Sequence, residues 1–106
     1  MAVEITSGNF EELVVKSEQL ILVDFWAPWC GPCRMLGPVI EALSEDNKDN
    51  KVVIAKFNVD SDSGIAAKLN VRGIPCVIIF KEGKEVGRLV GLQDKAKYQE
   101  VIDDLL

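Results

Sequence analysis

Three short runs constrain this sequence most: Leu20–Ala27 (LILVDFWA), Lys51–Val59 (KVVIAKFNV) and Cys76–Phe80 (CVIIF), all apolar without strict polar alternation. They have strand length and are rich in β-branched and aromatic residues. A strand apolar on both faces must be covered on both, so these runs belong in a sheet with helices on each side. Helix-like segments lie between and beyond them at Asn9–Lys16, Cys33–Leu43, Ser63–Leu69 and Asp94–Leu105, with Asn9 and Glu12 at the N-cap and N3 spacing of a capping box. This order predicts parallel strands joined by right-handed helical crossovers. After Phe80 the pattern changes. Lys81-Glu82-Gly83-Lys84 has the length of a hairpin turn, and Glu85–Val90 then alternates as a half-exposed antiparallel strand. With a short first strand at Val3–Ile5, the expectation is an α/β fold: a central mixed five-stranded sheet flanked by four helices, in three layers α/β/α.

The chain has 106 residues, with no internal repeat and no linker-like tract, so a single domain over 1–106 is expected. Twelve basic against seventeen acidic side chains leave a net charge of −5 and no basic stripe, which argues against a nucleic-acid partner. No apolar run approaches the roughly 20 residues needed to span a bilayer. Met1–Ser7 lacks the basic and apolar character of a signal peptide, and a cytoplasmic protein without a membrane partner is expected. The absence of histidine removes Ser-His-Asp and Cys-His nucleophile systems and every zinc site that needs imidazole. Three cysteines suit a reducing compartment, where a close pair is catalytic or metal-binding rather than structural.

Chemistry concentrates in Trp26-Ala27-Pro28-Trp29-Cys30-Gly31-Pro32-Cys33-Arg34-Met35, where an apolar strand runs into a helix. Two residues between the cysteines let the sulfurs meet when Cys30 sits at the helix start and Cys33 one turn in. Free backbone N–H groups and the helix dipole then favour a Cys30 thiolate, the species that attacks disulfides. The dipole alone is worth about 0.3 to 1 kcal/mol. A hydrogen bond from the Cys33 thiol is the natural supplement, and it would leave Cys33 as the protonated, resolving group. Pro32 is tolerated in a first helical turn. The competing reading is a metal or iron–sulfur module using Cys30, Cys33 and Cys76, which would need a carboxylate or a second subunit to complete four ligands. A third is a redox-silent domain that keeps the fold as a docking surface.

These residues, together with Asp24-Phe25 before them, Pro38, Lys56 within Val53–Asp60, Val71-Arg72-Gly73-Ile74-Pro75, Phe80-Lys81-Glu82-Gly83 and Val90-Gly91, resemble the thioredoxin family over essentially the whole chain. The resemblance implies a thioredoxin fold and a monomeric electron carrier that reduces disulfide-containing protein substrates. It also implies re-reduction by an NADPH-dependent flavoprotein, thioredoxin reductase, with no cofactor bound to the chain itself. Gly31-Pro32 between the cysteines resembles the reducing rather than the oxidising or isomerising members.

Asp24, read from position alone, is a solvated aspartate at a strand end. The resemblance implies instead a buried carboxylate that accepts the Cys33 proton, with Lys56 as its partner; a merely snorkelling Lys56 is the alternative. From the residues, Pro75 opens the Cys76–Phe80 strand. The resemblance implies a cis Ile74–Pro75 peptide facing the cysteines, and a substrate-docking patch of Trp29, Gly31, Pro32, Gly73, Ile74, Pro75 and Gly91. Two departures stand out. Cys76 replaces a usual threonine and reads either as a small buried strand residue or as a regulatory third sulfur. Gly37 replaces a commoner alanine and loosens the helix that holds Pro38.

Overall fold

The computed structural model describes residues 1–106. Strands β1 (Val3–Ile5), β2 (Leu20–Trp26), β3 (Val52–Asn58), β4 (Cys76–Lys81) and β5 (Lys84–Val90) form one sheet in the order β1-β3-β2-β4-β5. β1, β3 and β2 run parallel, while β4 is antiparallel to β2 and β5 to β4. Four helices cover the sheet: α1 (Glu11–Val15), α2 (Gly31–Asp46), α3 (Ser63–Lys68) and α4 (Lys95–Leu105).

The unalternating runs occupy the centre, as a sheet covered on both sides demands. In β2, Ile21, Val23 and Phe25 face the side of α1 and α3, where Val14, Phe57, Ala66 and Ile78 complete one core. Leu20 and Leu22 face the other side, packed with Leu36, Ile40 and Leu43 of α2 and Tyr98 and Ile102 of α4. By the two-residue period of a strand, Asp24 points to this second side. The β4–β5 connection is a two-residue turn, with Glu82 and Gly83 at φ 53° and 79°. A Cβ on Gly83 would run into the Val15 carbonyl, so only glycine fits there.

Two helix starts differ from the sequence-based expectation. α1 is a five-residue π-type turn closed by the Lys16 N–H on the Glu11 carbonyl. The predicted capping box does not form, because Asn9 serves the preceding turn: its Oδ1 accepts from the Thr6 N–H (2.7 Å) and its amide donates to the Glu4 carbonyl (3.2 Å). α2 begins two residues earlier than predicted, since Cys30 itself is its N-cap, and ends later, at Asp46. There the side chain of Asn47 donates to the Leu43 carbonyl and exchanges hydrogen bonds with Gln99 of α4.

Candidate active site

β2 delivers two groups in succession. Asp24 lies inside the sheet, and after Trp26 the chain turns through Ala27-Pro28-Trp29 so that Cys30 caps α2. The Cys33 N–H donates to Cys30 Sγ at 3.2 Å, satisfying a free helix N-terminal donor with the sulfur. Cys30 and Cys33 are joined as a disulfide, with Cα atoms 5.2 Å apart. Both are buried, Cys33 more deeply, in a small cluster with Ala27, Trp26, Val59 and Ile74. Arg34 steadies the approach to the pair by donating to the Pro28 carbonyl (3.3 Å).

The Ile74–Pro75 peptide is cis, and Cys30 Sγ lies 3.8 Å from the Ile74 carbonyl oxygen. The structure therefore brings the predicted docking edge against the disulfide. Pro75 is buried and Ile74 half-buried, whereas Gly31, Pro32 and Gly73 are exposed. Gly91, at φ 89°, donates its N–H to the Pro75 carbonyl (2.8 Å), fixing that peptide to the end of β5. Trp29 is 68% exposed, and its indole N–H donates to Asp60 Oδ1 (3.1 Å). Trp29, Asp60, Ala67, Val71, Arg72 and Ile74 are among the residues lining an open groove of about 400 Å³ that reaches Ile74. Asp60 was not singled out in the sequence; its only local signal is its place at the end of an apolar strand run.

Asp24 is 2% exposed, and its Oδ1 has no hydrogen-bond partner in the protein. Desolvation pushes its carboxyl up to about 7, with the Lys56 ammonium pulling it partly back. This is a buried carboxyl rather than the solvated strand-end residue that position alone suggests. Asp24 and Lys56 stand opposite each other in the β2–β3 register. Lys56, however, makes its ion pair with Glu41 of α2 (3.2 Å) and lies 5.7 Å from the centroid of the Trp26 ring. Glu41 also accepts the Ala2 N–H (2.8 Å), and that bond is the leading reason its carboxyl sits below its usual range. The Asp24–Lys56 partnership is thus one of field rather than contact, and Glu41 is the residue the sequence did not reveal.

Cys76 is free and buried in the core on the α1 and α3 side of the sheet, where desolvation raises its thiol above the usual value. No group of three His, Cys, Asp or Glu side chains is placed to hold a metal ion. The set of Cys30, Cys33 and Cys76 is not among such groups, and the metal-module reading is not favoured.

A disulfide made across the first turn of a helix, its outer sulfur acting as the helix cap beside an exposed backbone edge, defines a thiol–disulfide oxidoreductase. The thioredoxin family model matches residues 1–104. The chain is 46% identical to a thioredoxin of Chlorobaculum thiosulfatiphilum over 101 residues, covering 95% of this chain and 93% of that protein. It is 45% identical to a thioredoxin of Rickettsia bellii over 104 residues, 98% of each. A Staphylococcus haemolyticus thioredoxin matches at 46% over 101 residues, 95% of this chain and 94% of the other. The chain belongs to the thioredoxin family, and it exchanges thiols and disulfides through Cys30 and Cys33 as a protein-disulfide oxidoreductase.

Proposed function

We propose that the chain works as a monomeric cytoplasmic reductant of protein disulfides, one domain over 1–106. Reduced Cys30, as thiolate, attacks one sulfur of the substrate disulfide; a Cys30–substrate disulfide forms and the other substrate sulfur leaves as a thiolate. Asp24 then accepts the Cys33 proton, Cys33 attacks Cys30 Sγ, and the second substrate sulfur leaves. The substrate gains two electrons and the chain ends as the Cys30–Cys33 disulfide. The dithiol carries the electrons itself, so the reaction needs no cofactor within the chain. Re-reduction is assigned to an NADPH-dependent flavoprotein, thioredoxin reductase.

The observation that carries this reading is the Cys33 N–H on Cys30 Sγ at the start of α2, because a donor aimed at that sulfur favours its charged form. Lys56 acts on Asp24 through its field. Trp29, Gly31, Pro32, Gly73, Ile74, Pro75 and Gly91 form the surface on which an extended substrate segment docks, its main chain paired along Ile74. The test is a titration against defined dithiol/disulfide buffers, following Trp26 and Trp29 fluorescence and counting free thiols. One two-electron transition at a strongly reducing potential is expected, with Cys76 free throughout. A markedly oxidising midpoint would replace the reductant role with an oxidase or isomerase role, and failure to form a reversible Cys30–Cys33 disulfide would defeat the mechanism.

A further inference from the structure

The loop Asn70–Pro75, which carries the Ile74 carbonyl to within 3.8 Å of Cys30 Sγ, is tied at its near end to Arg88 of β5 and at its far end to Gly91 just after that strand. At its far end the Gly91 N–H holds the Pro75 carbonyl. Its near end is the C-terminus of α3, where carbonyls need partners. Asn70, at φ 58°, donates to the Ala67 carbonyl (3.1 Å) and Val71 to the Ala66 carbonyl (2.9 Å), a Schellman closure that satisfies those two oxygens. Arg88 of β5 takes up two more beyond Lys68: its Nη2 donates to the Leu69 carbonyl (2.7 Å) and its Nη1 to the Asn70 carbonyl (3.3 Å). Its remaining edge is held by Glu85, with Nε and Nη2 donating to the two carboxylate oxygens at 2.7 Å each. The Arg88 side chain is 26% exposed and that of Glu85 35%, so the pair is partly shielded from water. Four hydrogen bonds from one planar group to two carbonyls and a carboxylate use the fork geometry of guanidinium, which an ammonium cannot copy.

We infer that Arg88, locked by Glu85, is a positioning residue for substrate docking: it fixes the height of the loop that presents Ile74, and so governs reaction with protein disulfides but not with small ones. This rests on the docking role proposed for Ile74. A protein segment must pair with that backbone before Cys30 attacks, and a loop displaced by about 1 Å loses rate steeply. A small disulfide reaches Cys30 without the loop. Arg88 touches neither cysteine, so the chemistry of the dithiol stays as it is.

The experiment compares reduced full-length chain with Arg88→Met, Arg88→Lys and Gly73→Leu, using insulin as the protein disulfide and 5,5′-dithiobis(2-nitrobenzoate) as the small one. Arg88→Met is expected to lower kcat/KM for insulin about tenfold, carried by KM, and to leave the small-disulfide rate within about twofold and the reduction potential unchanged. Arg88→Lys is expected to recover only part of the loss. Equal losses on both substrates, or no loss on either, overturn the inference. Gly73→Leu places bulk directly on the docking loop and separates the two levels. If it slows insulin selectively while Arg88→Met does not, the inference fails and the docking role stands; if neither variant does, the docking role itself fails. Should Arg88→Met not fold, Glu85→Gln carries the test, because it unlocks the guanidinium while sparing its carbonyl bonds. It is expected to raise KM for insulin alone about threefold, and an unchanged KM overturns the inference.

Discussion

Replacing Asp24 by asparagine converts the buried carboxyl into a neutral group of nearly the same shape, so the variant reports what the charge costs the fold. In the folded chain desolvation raises the carboxyl from 3.8 to about 7, against the attraction of Lys56. Below about pH 4 the group is protonated in both folded and unfolded chains and contributes no pH dependence. Between about 4 and 7 the unfolded carboxyl has released its proton while the folded one keeps it, so the folded state binds more protons and stability falls as pH rises. Above 7 both forms are ionised and the full cost remains. At about 1.4 kcal/mol per pKa unit, that cost is about 4 kcal/mol. Asp24→Asn is therefore expected to exceed the parent's stability by about 4 kcal/mol at pH 8, with the difference shrinking steadily toward pH 4. Urea unfolding of the two oxidised proteins, followed by tryptophan fluorescence at intervals from pH 4 to 9, measures this. Other carboxyls are common to both proteins and cancel in the difference. The slope carries the test, since a constant offset could arise from amide hydrogen bonding alone. A difference flat to within about 0.5 kcal/mol across the range would refute the argument, because Asp24 would then titrate alike folded and unfolded.

Three further outcomes follow from single sites. Gly37 lies within α2 with nothing within 4 Å of a built Cβ, so Gly37→Ala is expected to stabilise by about 0.5 to 1 kcal/mol in the same urea assay; destabilisation would mean that the helix needs its flexibility before Pro38. Asn47 is 2% exposed and bonded to Leu43, Gln99 and Asn50, so Asn47→Ala is expected to cost about 2 to 3 kcal/mol by leaving polar groups without partners, and a loss below about 0.5 kcal/mol would show that water replaces them. Cys76 is buried and free, so oxidised native protein is expected to show no rapidly alkylated thiol and denatured protein one; rapid native alkylation would reveal an opening of β4.

Most of the sheet was legible because its signal is local: a run such as LILVDFWA cannot be solvated on either face, and strand placement follows. The cysteine pair was legible for a similar reason, since two intervening residues and a helix start leave little geometric freedom. What the sequence hid depends on groups far apart along the chain. Asn9 has the spacing of a helix cap, yet its amide is engaged by Glu4 and Thr6, and local spacing carries no record of that competition. Lys56 points to Asp24 by strand register, but its ion pair is with Glu41, a helix residue whose reach depends on how α2 lies across β3. Arg88 looks like an ordinary charge on a half-exposed strand until α3 is seen to end beside it.

The burial of Asp24 costs stability, and the role proposed for it explains why the fold keeps that cost. A solvated aspartate titrates near 3.9 and is a poor match for a thiol that loses its proton near 8.5. Proton transfer works best when the acceptor titrates near the operating pH, and desolvation brings Asp24 there. Lys56 limits the rise: with its ammonium unopposed the carboxyl would drop toward the ordinary range, and without it the carboxyl would climb further. Glu41 holds that ammonium in its own ion pair, and a carboxylate beside it would offset part of its field at Asp24. Glu41→Gln is expected to free Lys56 toward Asp24, lowering the carboxyl's titration point, so that the gain from Asp24→Asn levels off at a lower pH and at a smaller value. The same unfolding series in the Glu41→Gln background measures it. An unchanged upper break in the curve would show that the Glu41 pair leaves the field at Asp24 untouched.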